Sequence, residues 1–324
     1  MTQAVAIVGA GLTGAGWAAL FVAHGLEVRL YDRDPEALAR AALRAPLAAR
    51  FLVAQGLADG GACEAGLAAM TTHDEAAAAF AGVALVQECV PEELAAKREV
   101  FALADRLAPA DALIATSSSG LSIGVVQEAA ERAGRTLAAH PYNPPYLVPL
   151  VELAGGPRTA PETLSRAAAF YESVGKRPVV LERDVSGYIA NRLSAALWRE
   201  AIELVRSGVA SVADVDRAVT EGPGLRWAVM GPHLLYHLGG GEAGLRGHLR
   251  RLAGSKQGVL ADLATRTEFP DDAAEVLATG LEDEVGGSRE DGAIREPAAD
   301  GKLAMPGGRR PARRDEPREG VGGV

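Results

Sequence analysis

An α/β chain with a doubly wound sheet first and an all-helical C-terminal domain second is what this sequence predicts. Three observations carry the prediction. Strand-length apolar runs alternate with helical stretches as far as Leu181, the pattern of a parallel doubly wound sheet. The first run, Val5-Ala6-Ile7-Val8, opens directly onto the glycine-spaced turn Gly9-Ala10-Gly11-Leu12-Thr13-Gly14. From Ser186 onward the apolar residues recur at helical spacing. Together they describe an N-terminal Rossmann-type domain over 1–184, a helical domain over 185–285 and a Gly/Arg/Pro-rich tail over 286–324.

The glycine turn starts a helix that runs to His24, where Gly25 supplies a stop. Leu26 to Tyr31 reads as the second strand and ends at Asp32. Asp34-Pro35 starts the next helix, with Asp as N-cap and Pro in the first turn, and Gly56 to Ala62 reads as a loop. Val83 to Val90 is a strand, Glu92 to Leu107 a helix, and Leu113 to Thr116 a strand that ends in Ser117-Ser118-Ser119-Gly120. Two apolar runs follow, one ending at His140 and one holding Glu152. A helix over 161–174 and a last strand over Pro178 to Leu181 close the first domain. In the second domain Ile189, Leu193, Leu197, Ala201 and Leu204 are spaced as a core stripe. Ser211 is placed to cap a helix over Val212 to Val219.

The length of 324 residues, 48% hydrophobic and 23% charged, fits a globular chain of about two domains. No apolar run is long enough for a membrane span, and no basic-then-apolar leader opens the chain. Two cysteines, Cys63 and Cys89, argue against a disulfide framework and point to the cytoplasm. A net charge of −9 argues against nucleic acid as a partner. The tail from Gly286 to Val324 holds nine Gly, four Pro and seven Arg with no aromatic residue, so disorder is expected there.

The glycine turn lies between a strand and a helix, and an acidic residue, Asp32, ends the next strand, as a dinucleotide site requires. Gly9 makes the tight turn, Gly11 lets the backbone approach a pyrophosphate, and Gly14 lets helix and strand pack closely. Asp32 suits ribose hydroxyls and repels a 2′-phosphate, which selects NAD; the neighbouring Arg33 is the one feature that would admit NADP. His140 and Glu152 lie in runs that read as buried, and buried ionisable groups are normally paired. A carboxylate that fixes an imidazole tautomer makes a general base. His233 and His237 lie one helical turn apart, but no third metal ligand accompanies them, so no metal is expected.

These motifs, with Gly187-Tyr188-Ile189-Ala190-Asn191-Arg192-Leu193, resemble the L-3-hydroxyacyl-CoA dehydrogenase superfamily over roughly residues 3–285. The resemblance implies a catalytic base at His140, an orienting acid at Glu152, and Ser119 and Asn191 near the substrate hydroxyl. It implies cofactor contacts from Gly9, Gly11, Leu12, Thr13, Gly14, Asp32, Glu92, Lys97, Ser119 and Asn143, and a homodimer built through the helical domain. Glu221-Gly222-Pro223-Gly224-Leu225-Arg226-Trp227 and Ala196-Leu197-Trp198-Arg199-Glu200 resemble the branch that includes lambda-crystallin, L-gulonate 3-dehydrogenase and L-carnitine dehydrogenases. That branch implies a small 3-hydroxy acid as substrate, alongside Ser119, Asn143, Asn191, Arg226 and Trp227. Arg226 would fork onto its carboxylate, and Tyr142, Trp198, Trp227 and Tyr236 would offer faces to a cation. A 3-hydroxyacyl-CoA substrate and a non-enzymatic, crystallin-like role are the alternatives.

Overall fold

The computed structural model describes residues 3–286. Elements follow in the order β1 (Ala4–Val8), α1 (Leu12–Ala23), β2 (Glu27–Tyr31), α2 (Pro35–Ala54), α3 (Gly60–Ala69), β3 (Thr71–His73), α4 (Ala76–Phe80), β4 (Leu85–Glu88), α5 (Leu94–Leu107), β5 (Leu113–Thr116) and α6 (Ile123–Val126). After them come β6 (Thr136–Pro141), β7 (Leu150–Ala154), α7 (Pro161–Ser173) and β8 (Arg177–Val180). The strands make one sheet in the order β3-β2-β1-β4-β5-β6-β7-β8. The chain begins mid-sheet, builds outward through β2 and β3, then crosses back over β1 to β4 and builds the other way. That reversal opens a crevice at the carboxyl ends of β1 and β4, where open α/β sheets bind ligands.

One expectation is corrected here. The sheet is not wholly parallel: β6 and β7 pair antiparallel, and β8 runs parallel to β7. Residues 142–149 are too few for the crossover that a parallel pair requires, so the chain turns back on itself. The consequence for the site is direct, because the antiparallel register sets His140 opposite Glu152. Two further departures are local. Residues 60–69 are helical rather than loop, with Asp59 capping the Ala62 amide. Thr71–His73 adds a short edge strand whose first two residues are exposed.

Both faces of the sheet are covered. On one face α1 is buried on nearly every side and packs Trp17 against Phe21 and Tyr171, at centroid distances of 5.3 and 5.4 Å. On the other, Phe80, Phe101 and Ile123 are fully buried. Strands enclosed this way read as continuous apolar runs, which is why they were legible.

From residue 190 the described chain is helical: α8 (Ala190–Arg206), α9 (Val212–Glu221), α10 (Pro223–Trp227), α11 (Pro232–Leu238), α12 (Gly244–Asp262) and α13 (Ala273–Gly286). Ser211 caps α9 through the Asp214 amide at 3.1 Å. The expected core stripe of α8 is not core. Ile189, Leu193 and Leu197 are 45%, 61% and 39% exposed, and Ile202 is the one buried residue of that helix. Helical spacing reveals an apolar face but not what covers it, and within one chain nothing described does. Among the described residues no helix is long and apolar enough to cross a membrane. The expectation of disorder from Gly287 to Val324 concerns residues outside those described, while Gly286 ends α13.

Candidate active site

The cofactor cradle forms where β1 meets α1. Gly9 has φ +94°, and a Cβ there would lie 2.6 Å from the Cys89 carbonyl carbon; a Cβ on Gly14 would lie 1.9 Å from the Gly9 oxygen. Both positions therefore exclude any side chain. Gly11, by contrast, faces open space. No side chain caps α1 and its first turn holds no acid, so its free amides and positive dipole end suit a pyrophosphate. Leu12 is exposed at this rim, and Thr13 Oγ1 reaches Asn143 Oδ1 at 3.4 Å, which joins the cradle to the 142–149 loop. Asp32 follows β2 directly and receives the Ala10 amide at 2.6 Å and the Asp34 amide at 2.9 Å. Arg33 is turned to Glu99, so the cation that would favour a 2′-phosphate is already neutralised. These residues fit NAD. Asp32→Ala should raise KM for NAD about 10- to 100-fold, the loss of a charged hydrogen-bond acceptor. Saturating NAD should restore most of kcat in steady-state assays, and discrimination against NADP should narrow.

Ser117, Ser118 and Ser119 take three different roles. Ser117 Oγ accepts from Trp17 Nε1 at 3.1 Å and Gln87 Nε2 at 2.9 Å, and lies 3.3 Å from Cys89 Sγ. Burial pushes the Cys89 thiol up to about 12, so it is an inert packing group. Ser118 Oγ donates to Glu92 Oε1 at 2.5 Å. Ser119 is exposed, and its Oγ lies 3.2 Å from His140 Nε2.

Glu92 and Lys97 hold this turn in place. Glu92 Oε1 also accepts the Gly120 and Leu121 amides at 2.7 and 3.0 Å. Burial raises the Glu92 carboxyl, but Ser118, those amides and Lys97 outweigh it and the net direction is down. Lys97 is 1% exposed, and its Nζ is shared among Glu88, Glu92 and the Val90 carbonyl. Lys97, expected at the cofactor, is buried beneath the turn and bears on it through Glu88 and Glu92.

His140 and Glu152 are 3% and 1% exposed. His140 Nδ1 donates to Glu152 Oε2 at 3.0 Å, while Glu152 Oε1 accepts the Ile189 and Ala190 amides at 2.8 and 3.0 Å. One carboxylate thus fixes the imidazole and also anchors the start of α8, where Asn191 follows immediately. Burial pushes Glu152 up, yet the bonds from His140 and the two amides prevail and hold its carboxyl below the ordinary range. The carboxylate stays ionised and accepts from Nδ1, which leaves Nε2 as the ring nitrogen that faces Ser119.

Tyr188 was not singled out from the sequence. It is 2% exposed and stacks on His140 at 4.6 Å with an interplanar angle of 11°. No periodicity or motif spacing signals such a stack, because the contact joins the start of α8 to β6.

The loop carrying Tyr142 and Asn143 is pinned by Lys176. Its buried Nζ donates to the Pro145 and Val148 carbonyls at 2.9 and 2.6 Å and lies 5.1 Å from the Trp17 centroid. With no carboxylate partner among the described residues, burial lowers its pKa to about 8 from 10.5. The folded chain then binds fewer protons than the unfolded chain between those values, so stability rises with pH through that window. Melting curves should show wild type gaining on the order of 3 kcal/mol over Lys176→Met from about pH 8 to 10.5.

The remaining substrate expectations do not gather at this point. Arg226 and Trp227 are exposed on α10, and among the described residues no hydrogen bond, ion pair or ring contact joins them to Ser119, His140 or Asn191. Of the four aromatics expected to face a cation, Tyr142 lies 6.2 Å from His140, Trp198 stacks edge-on with Phe269, and Tyr236 contacts His248 and Lys256. Instead, Asn191 and Arg192 line an open groove of about 710 Å³ with Trp198 and Phe269. His237 Nδ1 accepts the Leu245 amide, and no cluster of metal-ligating residues occurs among the described residues.

Residues 4–185 match the family model for the 3-hydroxyacyl-CoA dehydrogenase NAD binding domain, and residues 187–275 match that for its C-terminal domain. L-Carnitine dehydrogenase from Streptomyces griseus is 46% identical over 269 residues, 82% of this chain and 77% of that protein. L-Carnitine dehydrogenase from Bacillus cereus is 43% identical, over 75% of this chain and 73% of that protein. Among solved structures, 5-formyl-3-hydroxy-2-methylpyridine 4-carboxylic acid 5-dehydrogenase, an NAD+ dependent dismutase, superposes with a TM-score of 0.76 at 32% identity. The match covers 89% of this chain and 87% of that one.

Proposed function

The chain belongs to the 3-hydroxyacyl-CoA dehydrogenase family, and from that premise we propose that it oxidises the 3-hydroxyl of a small L-3-hydroxy acid, L-carnitine foremost, to the 3-oxo acid. It is an NAD-dependent dehydrogenase. The observation that carries the reading is His140, with Nδ1 tied to Glu152 and Nε2 facing the exposed Ser119.

Bound NAD supplies the hydride acceptor at the carboxyl ends of the strands. Ser119 and Asn191 orient the substrate hydroxyl, and His140 Nε2 takes its proton as C3 loses hydride. Glu152 stabilises the imidazolium that forms. Asn143, bonded to Thr13, shapes the wall between cofactor and substrate. Arg226 is exposed and free of ion pairs among the described residues, which leaves it available to a substrate carboxylate, with Trp227 beside it. The exposed apolar face of α8, with Leu234 and Leu238 of α11, supports a homodimer through the helical region, since such faces mark interfaces. Two free cysteines support a cytoplasmic location.

The test is NADH formation with L-carnitine, L-gulonate and L-3-hydroxybutyryl-CoA in parallel. A kcat/KM ranking with a free acid first supports the reading. Turnover of the CoA ester alone keeps the His140 chemistry and overturns the substrate assignment.

A further inference from the structure

We propose that Tyr188 is a positioning residue: its ring is the plate that fixes the plane of the catalytic imidazole. The proposal rests on His140 being the base. A hydrogen bond from Nδ1 to Glu152 fixes one edge of the ring, but it leaves the imidazole free to rock about that bond. The Tyr188 ring removes that freedom, lying 4.6 Å away and within 11° of parallel. With the ring plane held, Nε2 points at Ser119.

The backbone shows that this placement is specific. Tyr188 has φ +49°, the one non-glycine residue in the left-handed region among those described, and it follows Gly187 at φ +76°. Such a conformation is unfavourable for a bulky residue and persists where surrounding contacts enforce it. Here the enforcing contacts are the next two amides, Ile189 and Ala190, both bound to Glu152 Oε1. A closed circuit results: His140 to Glu152, Glu152 to the start of α8, and Tyr188 back onto His140. Asn191 follows on the same segment, so one circuit registers base and asparagine together.

The ring, not the hydroxyl, does this. Tyr188 Oη is buried without a hydrogen-bond partner among the described residues. Burial first, then the charges of Asp184, Glu92 and Glu152, pushes the phenol upward, so it is no proton relay. A buried polar atom without a partner is destabilising, and Phe in its place keeps the plate.

The test compares Tyr188→Leu and Tyr188→Phe with wild type, using L-carnitine and NAD and, without substrate, 15N NMR of the histidine ring. Misplacing a reacting group by about 1 Å costs up to about 100-fold. Tyr188→Leu should therefore lose about 10- to 100-fold in kcat with little change in KM for NAD, and the His140 ring 15N signals should broaden as the ring plane fluctuates. Tyr188→Phe should recover most of that loss, keep those signals sharp and melt higher than wild type. If Tyr188→Leu does not fold, Tyr188→Met, an adaptable filler without a plane, carries the same test. Leucine or methionine variants that keep kcat and sharp ring signals overturn the proposal. So does a phenylalanine variant that falls as far as leucine. The NMR arm is read without turnover, so a wrong substrate assignment leaves it intact.

Discussion

Replacing His140 with alanine lowers kcat by about 10²- to 10⁴-fold, the range that general acid–base catalysis contributes, while KM for NAD stays near wild type. The two effects separate because of where the residues lie. The cradle at Gly9, Gly11 and Gly14 lies at the junction of β1 and α1 and the Asp32 carboxylate just after β2, whereas His140 lies on β6, across β4 and β5 in the sheet. Among the described residues the hydrogen-bond partner of the Ser119 hydroxyl is His140 Nε2, so no other group there stands ready to replace the base. Rapid-mixing measurements of NADH formation under saturating NAD read this loss directly.

Glu152→Gln produces a loss of similar size by a different route. The glutamine oxygen can still accept the Ile189 and Ala190 amides, which turns its NH2 toward His140 Nδ1. That nitrogen must then accept, so the ring proton moves to Nε2 and the base is blocked. The analogous tautomer error in a serine protease triad costs about 10⁴-fold in kcat. The pH dependence of stability carries a second signature. The folded Glu152 carboxyl lies below its unfolded value. Its contribution is therefore complete above the ordinary carboxylate range, near pH ~4.3, and is lost as pH falls through the lowered folded value. Melting temperature against pH should fall less steeply on the acid side in Glu152→Gln than in wild type.

The fold was legible where burial forces a pattern. β1, β4 and β5 are enclosed on both faces, so their apolar runs could not be mistaken, and the Gly9–Gly14 turn is dictated by contacts that no Cβ survives. His140 and Glu152 stood out because ionisable groups in such runs need partners, and the antiparallel register supplies one. What escaped was what depends on long-range placement. The direction of β7 follows from a loop too short to cross over. Lys97 is implied by the resemblance as a cofactor contact, and its burial against Glu88 and Val90 has no signature in the sequence. The stripe of α8 shows the right period but Ile189, Leu193 and Leu197 lack a cover among the described residues. Tyr188 stacks on a ring 48 positions earlier in the chain, a contact that only the Glu152-anchored start of α8 creates.

The most direct test of the central claim uses L-carnitine deuterated at C3, with wild type and His140→Ala compared at saturating NAD. Mass spectrometry follows the label. Hydride transfer assisted by His140 predicts one deuteron on the reduced nicotinamide for each 3-oxo product formed by wild type, and its near-disappearance with His140→Ala. Reduced nicotinamide without deuterium, or equal labelling by His140→Ala, would contradict it.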